Sequence, residues 1–259
     1  MARIVLAHGI LGFGSVLPTD PVTYFNGIPR LYESQGHDVI YPTVAALGSI
    51  AHRSAQLEAS ILAQWPNDDG APIHLLAHSM GGLDCRHMLQ ASPGLSARVR
   101  RLITVATPHY GSPVADAVSH PLFPGLPLLA PSLQRLFAND AGALADLRTR
   151  ATLEADDVKN VDYLCVGCNM ATTTPKSQVF ALTSALGGFD PSPNDGVVGL
   201  DSASRSNAAA QLFDVWPVDH GGAIGWPSGG LITQAGLAAL APPADHIARY
   251  TTLLARLIA

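Results

Sequence analysis

The stretch HLLAHSMGGLDC, His74 to Cys85, sets a serine between His78 and Met80, after an apolar run and before two glycines. A serine that is to act as a nucleophile needs such a place. It must sit at the end of a strand, on a turn sharp enough to expose Oγ, with a helix starting immediately behind it. The residues two before and two after the serine crowd together in that turn, so both must be small. Gly81 meets the condition. Ala77 adds only a methyl group where the pattern Gly-x-Ser-x-Gly has its first glycine. The chemistry open to Ser79 is attack on a carbonyl carbon. The plainer account is a serine capping a helix over residues 80–90, a common use of Ser.

Attack on a carbonyl builds negative charge on oxygen, which backbone amides aimed at it stabilise by several kcal/mol. One such donor is the residue after the nucleophile, here Met80. The other comes from a loop after an early strand, and AHGILGF, Ala7 to Phe13, places the Ile10 amide at the matching position. The same glycines could make an ordinary turn. A phosphate loop is a poor fit, because neither Gly-Lys-Ser/Thr nor Gly-x-Gly-x-x-Gly is present.

A serine hydroxyl is weak until a histidine takes its proton and a carboxylate orients that histidine. With the order serine, acid, histidine, the ten histidines reduce to His220 and His246. His8, His37, His52, His74 and His78 precede Ser79, His87 follows it on the same helix, His109 lies in TPHYGS and His120 in a proline-rich loop. His220, in VDHGGAIGW, follows a strand-like run, whereas His246 falls within a terminal helix where a surface or capping role is expected. Asp195, in SPNDGVVG, is the leading carboxylate, with Asp190, Asp201 and Asp219 as rivals. Asp219 adjoins His220 and would point elsewhere, and Asn-Asp-Gly can equally be a tight turn.

The elements that must hold these residues follow from the apolar patterning. Strand-like runs cover 3–8, 38–41, 73–78, 102–106, 162–166, 179–182 and 212–218. Continuous apolar strands are buried on both faces, as in a parallel sheet. Between them Ile50, Leu57, Ile61, Leu62 and Trp65 make one helical stripe, and Ile247, Tyr250, Leu254, Leu257 and Ile258 make another. This alternation predicts an α/β fold, with functional residues beyond the C-terminal ends of the strands.

The chain has 259 residues, 47% of them hydrophobic, enough for a substantial core, and no linker, charge block or repeat divides it. A formal charge of −5 with scattered basic residues argues against nucleic acid as a partner. No apolar stretch is long enough to suggest a membrane span. A strand begins almost at residue 1, with no signal-peptide pattern, so a cytoplasmic location is expected, or secretion if a leader has been removed. Cys165 and Cys168 form a C-x-x-C without a second pair, and with Cys85 they read as structural thiols at a strand and turn.

LAHGILGF, YFNGIPRLYESQGHDVIYPTV, AHSMGG, ATPHYGS, NDGVVG and DHGGAIGW occur in an order that resembles the triacylglycerol lipases of the α/β-hydrolase superfamily, particularly those of Pseudomonas and Burkholderia type. The resemblance implies an α/β-hydrolase fold: a mostly parallel central sheet flanked by helices, in one domain over 1–259, with a helical lid or cap inserted at about 113–155. It implies Ser79, Asp195 and His220 as a triad and Ile10 and Met80 as oxyanion donors. The lipases' calcium site uses an aspartate two positions after the histidine, where this chain has Gly222, and Trp226 stands at a further ligand position. No equivalent metal site is therefore expected. The family disulfide also lacks its downstream half, which falls on Asp201.

Within the insertion, Leu129, Leu133, Leu136 and Phe137 lie at helical spacing. They suit either a mobile lid that meets a lipid surface transiently or a fixed cap, and in both cases an apolar acyl pocket. The sequence thus predicts a cofactor-free carboxylic ester hydrolase, a lipase or esterase acting on acylglycerols or similar apolar esters. The alternatives are an acyltransferase or aliphatic polyester depolymerase with the same triad, or a hydrolase-fold protein that only binds.

Overall fold

The structure is a computed structural model, and it describes residues 1–10, 12, 23–119, 142–150, 157–172, 178–189, 191–205, 211–226 and 244–259. Along the chain these form β1 (Arg3–Ala7), α1 (Ile28–Ser34), β2 (Asp38–Ile40), α2 (Ile50–Gln64), β3 (Ile73–His78), α3 (Met80–Ala91), α4 (Pro93–Ser96) and β4 (Val99–Val105). There follow α5 (Pro113–Ser119), α6 (Gly142–Asp146), β5 (Asp162–Cys168), α7 (Gln178–Leu186), α8 (Leu200–Ser204), β6 (Gln211–Trp216) and α9 (Ala244–Leu257). The strands make one sheet in the order β2-β1-β3-β4-β5-β6, with every pairing parallel.

Parallel strands need crossover connections, and these helices cover both faces of the sheet. Alternate residues divide accordingly. Ile4 and Leu6 of β1 join Tyr32 of α1 and Tyr250 and Leu254 of α9 in one core. Val5 and Ala7 join Leu57 and Ile61 of α2 and Cys85, Met88 and Leu89 of α3 in the other. Every residue of β3 is buried, His74 and His78 included, as a central parallel strand covered on both faces requires. The helix α2 begins at Ser49, whose side chain accepts from the His52 N–H at 3.3 Å.

Two expectations need correction. Residues 179–182 belong to α7, not to a strand; a short apolar run carries no periodicity of its own, and here Ala and Leu neighbours extend it into a helix. His246 on α9 is fully buried rather than at the surface, its Nε2 3.1 Å from the Asn26 carbonyl oxygen. Other boundaries shift slightly: β5 runs through Cys168, and β6 stops before Pro217. All three cysteines are free and buried, and burial pushes their thiols up, which leaves them unreactive. Leu129, Leu133, Leu136 and Phe137 lie outside the described residues. Among the described residues no helix is long and apolar enough to cross a membrane.

Candidate active site

The strand β3 delivers Ser79 at the middle of the sheet. Its neighbours on β1 and β4 pair Ala77 with Ala7 and Thr104, which leaves Ala77 fully buried. Ser79 itself has φ 55° and ψ −132°, a positive φ that non-glycine residues hold only when their surroundings enforce it. Two backbone bonds do so: Ser79 N donates to the Val105 oxygen at 3.0 Å, and Gly82 N donates to the Ser79 oxygen at 3.1 Å. Gly81 then lies against the end of β1, where a Cβ would stand 2.4 Å from the Ala7 oxygen and 2.7 Å from the His8 oxygen. The turn is as sharp as the sequence predicts, and its second small residue cannot grow.

Around that turn the structure brings the three polar residues together. His220 Nε2 lies 3.0 Å from Ser79 Oγ, and His220 Nδ1 lies 2.7 Å from Asp195 Oδ2. The other carboxylate oxygen of Asp195 accepts from the backbone N–H groups of Val197 at 2.9 Å and Val198 at 2.7 Å. Asp195 is 1% exposed and His220 12% exposed at the side chain, and Ser79 is itself buried, so the whole line of hydrogen bonds is shielded from solvent. The His220 backbone N–H also donates to the Asp195 oxygen at 2.9 Å, which ties the two loops main chain to main chain. The turn after Asp195 needs Gly196: its φ is +97°, and a Cβ there would meet Phe180 of α7 at 2.5 Å.

The rival positions separate from this arrangement. Asp219 is buried and its Oδ1 accepts from Gly222 N at 2.7 Å, while Asp201 binds the Ser202 N–H at 2.8 Å. Asp190 lies outside the described residues. The loop that carries His220 is pinned by hydrogen bonds from Asn26 and Trp226. Asn26 N donates to the Ile224 oxygen at 3.1 Å, Asn26 Nδ2 to the Gly225 oxygen at 2.9 Å, and Trp226 Nε1 to the Tyr24 oxygen at 2.9 Å.

The loop after β1 reaches the same point. A Cβ on Gly9 would stand 2.7 Å from Ser79 Cβ and 3.1 Å from Ser79 Oγ, so only glycine lets the main chain pass the serine this closely. Ile10, next in sequence, packs on the small apolar cluster that contains Met80 and Leu83. The side chains of the two residues expected to offer amides, Ile10 and Met80, thus share one apolar cluster.

Sequence reasoning missed the side chains that hold this loop. Arg53 of α2 is fully buried; it donates through Nη2 to the His8 oxygen at 2.8 Å and through Nε to Asp84 Oδ2 of α3 at 2.9 Å. It also donates to the Ala45 oxygen at 2.6 Å. The signal was present: Arg53 interrupts the apolar stripe between Ile50 and Leu57, and a charge on a buried stripe must be paired. Burial pushes the Asp84 carboxyl up to about 7 against the pull of Arg53. His8 accepts from Val44 N at Nε2 at 3.1 Å, so its Nδ1–H donates to the Gly9 oxygen at 2.8 Å. Burial lowers its pKa to about 4 and keeps it neutral.

Comparison with known proteins agrees with the fold. A family model described as a PGAP1-like alpha/beta domain matches residues 53–127. The chain is 29% identical over 215 residues to triacylglycerol lipase 2 of Saccharomyces cerevisiae, covering 79% of this chain and 63% of that protein. It is 35% identical over 115 residues to a triacylglycerol lipase of Vibrio cholerae, covering 44% and 35%. The chain therefore spans less than two thirds of the length of either relative. A metagenomic carboxyl esterase of known structure superposes with a TM-score of 0.66 at 21% identity, covering 85% of this chain and 64% of its own. The chain has the α/β-hydrolase fold that the sequence predicts.

Proposed function

We propose that this chain is a serine carboxylic ester hydrolase acting on acylglycerols or similarly apolar esters. The observation that carries the reading is the run Ser79 Oγ, His220, Asp195, closed at 3.0 Å and 2.7 Å on a positive-φ turn. A helix cap needs no such line, and Ser79 makes no side-chain cap to α3. The names of the two relatives, both triacylglycerol lipases, support the substrate class.

In this reading His220 Nε2 takes the proton of Ser79 Oγ as the oxygen attacks the ester carbonyl. Asp195 keeps the Nδ1–H tautomer in place and stabilises the imidazolium that forms. The amides of Ile10 and Met80 receive the oxyanion, and the alkoxide leaves with the proton that His220 returns. Water, deprotonated by the same nitrogen, then attacks the acyl-serine and releases the acid. No cofactor takes part. The lid or cap reading of residues 113–155 rests on the sequence spacing of Leu129, Leu133, Leu136 and Phe137, which lie outside the described residues.

The test is hydrolysis of p-nitrophenyl esters from acetate to palmitate and of triolein emulsion, wild type beside Ser79→Ala. Hydrolysis lost in the variant and sustained on long chains and triolein is the expected result. Activity confined to short chains would make the protein an esterase. Unchanged activity in Ser79→Ala would place the chemistry elsewhere.

A further inference from the structure

His78, the residue immediately before Ser79, is buried and takes no part in the chemistry above. Its ring lies against His220, with centroids 4.6 Å apart and planes at 46°. Its Nδ1 is 2.8 Å from Tyr24 Oη, 54 residues away in sequence. Tyr24 also touches the oxyanion loop: its oxygen receives a hydrogen bond from the Gly9 backbone, and it stands 2.7 Å from the point where a Gly9 Cβ would be.

Because Gly9 N–H donates to Tyr24 Oη, the phenol hydrogen is free to go to His78 Nδ1, and His78 then carries its own hydrogen on Nε2. That Nε2 is buried and turned toward the His220 backbone carbonyl. The groups thus form a line from Gly9 through Tyr24 and His78 to His220. It runs beside the line from Asp195 through His220 to Ser79 and meets it at the imidazole.

The geometry points to Tyr24 and His78 as a positioning pair that fixes the tilt of the His220 ring and ties it to the oxyanion loop. Two in-plane hydrogen bonds, one at each ring nitrogen, leave an imidazole free to tilt about the line that joins them. A wall on the ring face removes that freedom, and His78 supplies it, with Phe180 edge-on at 6.3 Å as a looser neighbour. The wall itself is held by the Tyr24 hydroxyl.

The pair must also be uncharged, because a cation 4.6 Å away would oppose the imidazolium that His220 becomes. Burial, then the nearness of His220, holds His78 well below the usual histidine range. Burial likewise raises the Tyr24 phenol. The ionisable groups around His78 are Tyr24 and His220, with Asp195 beyond His220 and Arg53 beyond Tyr24.

The kinetic half of the test rests on the hydrolase reading; the spectroscopic half does not. In the full chain, the proton NMR resonance of the His220 Nδ1–H in its bond to Asp195 is followed against pH, beside kcat and KM for p-nitrophenyl butyrate. Tyr24→Phe, which removes one hydroxyl, is expected to lower kcat about tenfold and to leave KM within about twofold. His78→Ala, which removes the wall, is expected to shift or broaden that Nδ1–H resonance, because the ring is no longer held at one tilt to Asp195. His78→Phe, which keeps a ring, should reverse most of that change. If His78→Ala does not fold, Tyr24→Phe carries the test alone. Unchanged kcat and an unchanged His220 Nδ1–H resonance in folded Tyr24→Phe would overturn the proposal, as would an effect confined to KM. A resonance shifted by these substitutions, in a protein whose wild type hydrolyses no ester, would support the positioning pair and remove the hydrolase reading.

Discussion

Gly81 rests on the carbonyl oxygens of Ala7 and His8, so the turn that carries Ser79 is seated directly on the end of β1. The two loops proposed to surround the oxyanion therefore share a wall of backbone, and backbone cannot swing aside as a side-chain tip can.

Gly81→Ala is accordingly expected to be costly. The added methyl must displace main chain that a Cβ approaches to 2.4 Å, an overpacking of about 1–3 kcal/mol. Ester hydrolysis should fall more than stability, because the strain lies between nucleophile and oxyanion loop. Ala77→Gly, by contrast, should change kcat little. Urea melts and kcat for the two variants check this; equal kcat in Gly81→Ala and wild type would show that the contact relaxes freely.

Arg53→Met removes the anchor from the His8 oxygen and leaves Asp84 buried without its partner. Breaking such a pair typically costs about 3–5 kcal/mol. Misplacing one oxyanion amide typically costs about a hundredfold in kcat. Both losses are expected together, with KM little altered, and Arg53→Lys should restore stability in part without restoring kcat, since one ammonium cannot reach His8, Ala45 and Asp84 in the same geometry. A variant destabilised but fully active would assign Arg53 to folding alone.

Acid should unfold the protein earlier than its few carboxylate pairs suggest. Burial lowers His8 and His246 to about 4, and it puts His78 and His109 well below the usual value. Between pH 6.5 and 4 the unfolded chain binds protons at these sites that the folded chain refuses, so stability is lost as pH falls through that window. His8 and His246 each contribute on the order of 3 kcal/mol. Asp84, raised to about 7, works the other way over nearly the same range, and one carboxyl does not offset four histidines. The expected result is a Tm that drops steeply from pH 6.5 to 4, with a shallower slope in His246→Gln. Parallel slopes in the two proteins would contradict it.

Chelation is expected to have no effect. Position 222 offers a backbone N–H to Asp219 and no side chain, and the loop from His220 to Trp226 is tied by Tyr24 and Asn26. Dialysis against EDTA should leave Tm and hydrolysis unchanged. A fall in either, reversed by calcium, would reveal a site outside the residues described.

Much of this was legible in the sequence wherever one short segment encodes one structural need. The strands β1, β3 and β4 announce themselves as apolar runs because both of their faces are covered, and the small residues about Ser79 follow from one sharp turn. Contacts between distant segments were not legible. Arg53 meets His8, and Tyr24 meets His78, across 45 and 54 positions, and no local pattern records which partner a buried polar group will find. The helix α7 differs from the strand expected there because four apolar residues suit either period, and the run belongs to a nine-residue helix.

The hydrogen bond between Ser79 and His220 joins residues 141 positions apart, and the loop of His220 is buttressed from both directions, by Asn26 and by Tyr250, whose hydroxyl donates to the Ala223 oxygen at 2.9 Å. A chain emerging from the ribosome exposes Ser79 long before it can meet its histidine. Through most of synthesis the serine is an ordinary alcohol, and the line from Ser79 through His220 to Asp195 cannot be held closed until α9 has been translated and has packed over the sheet.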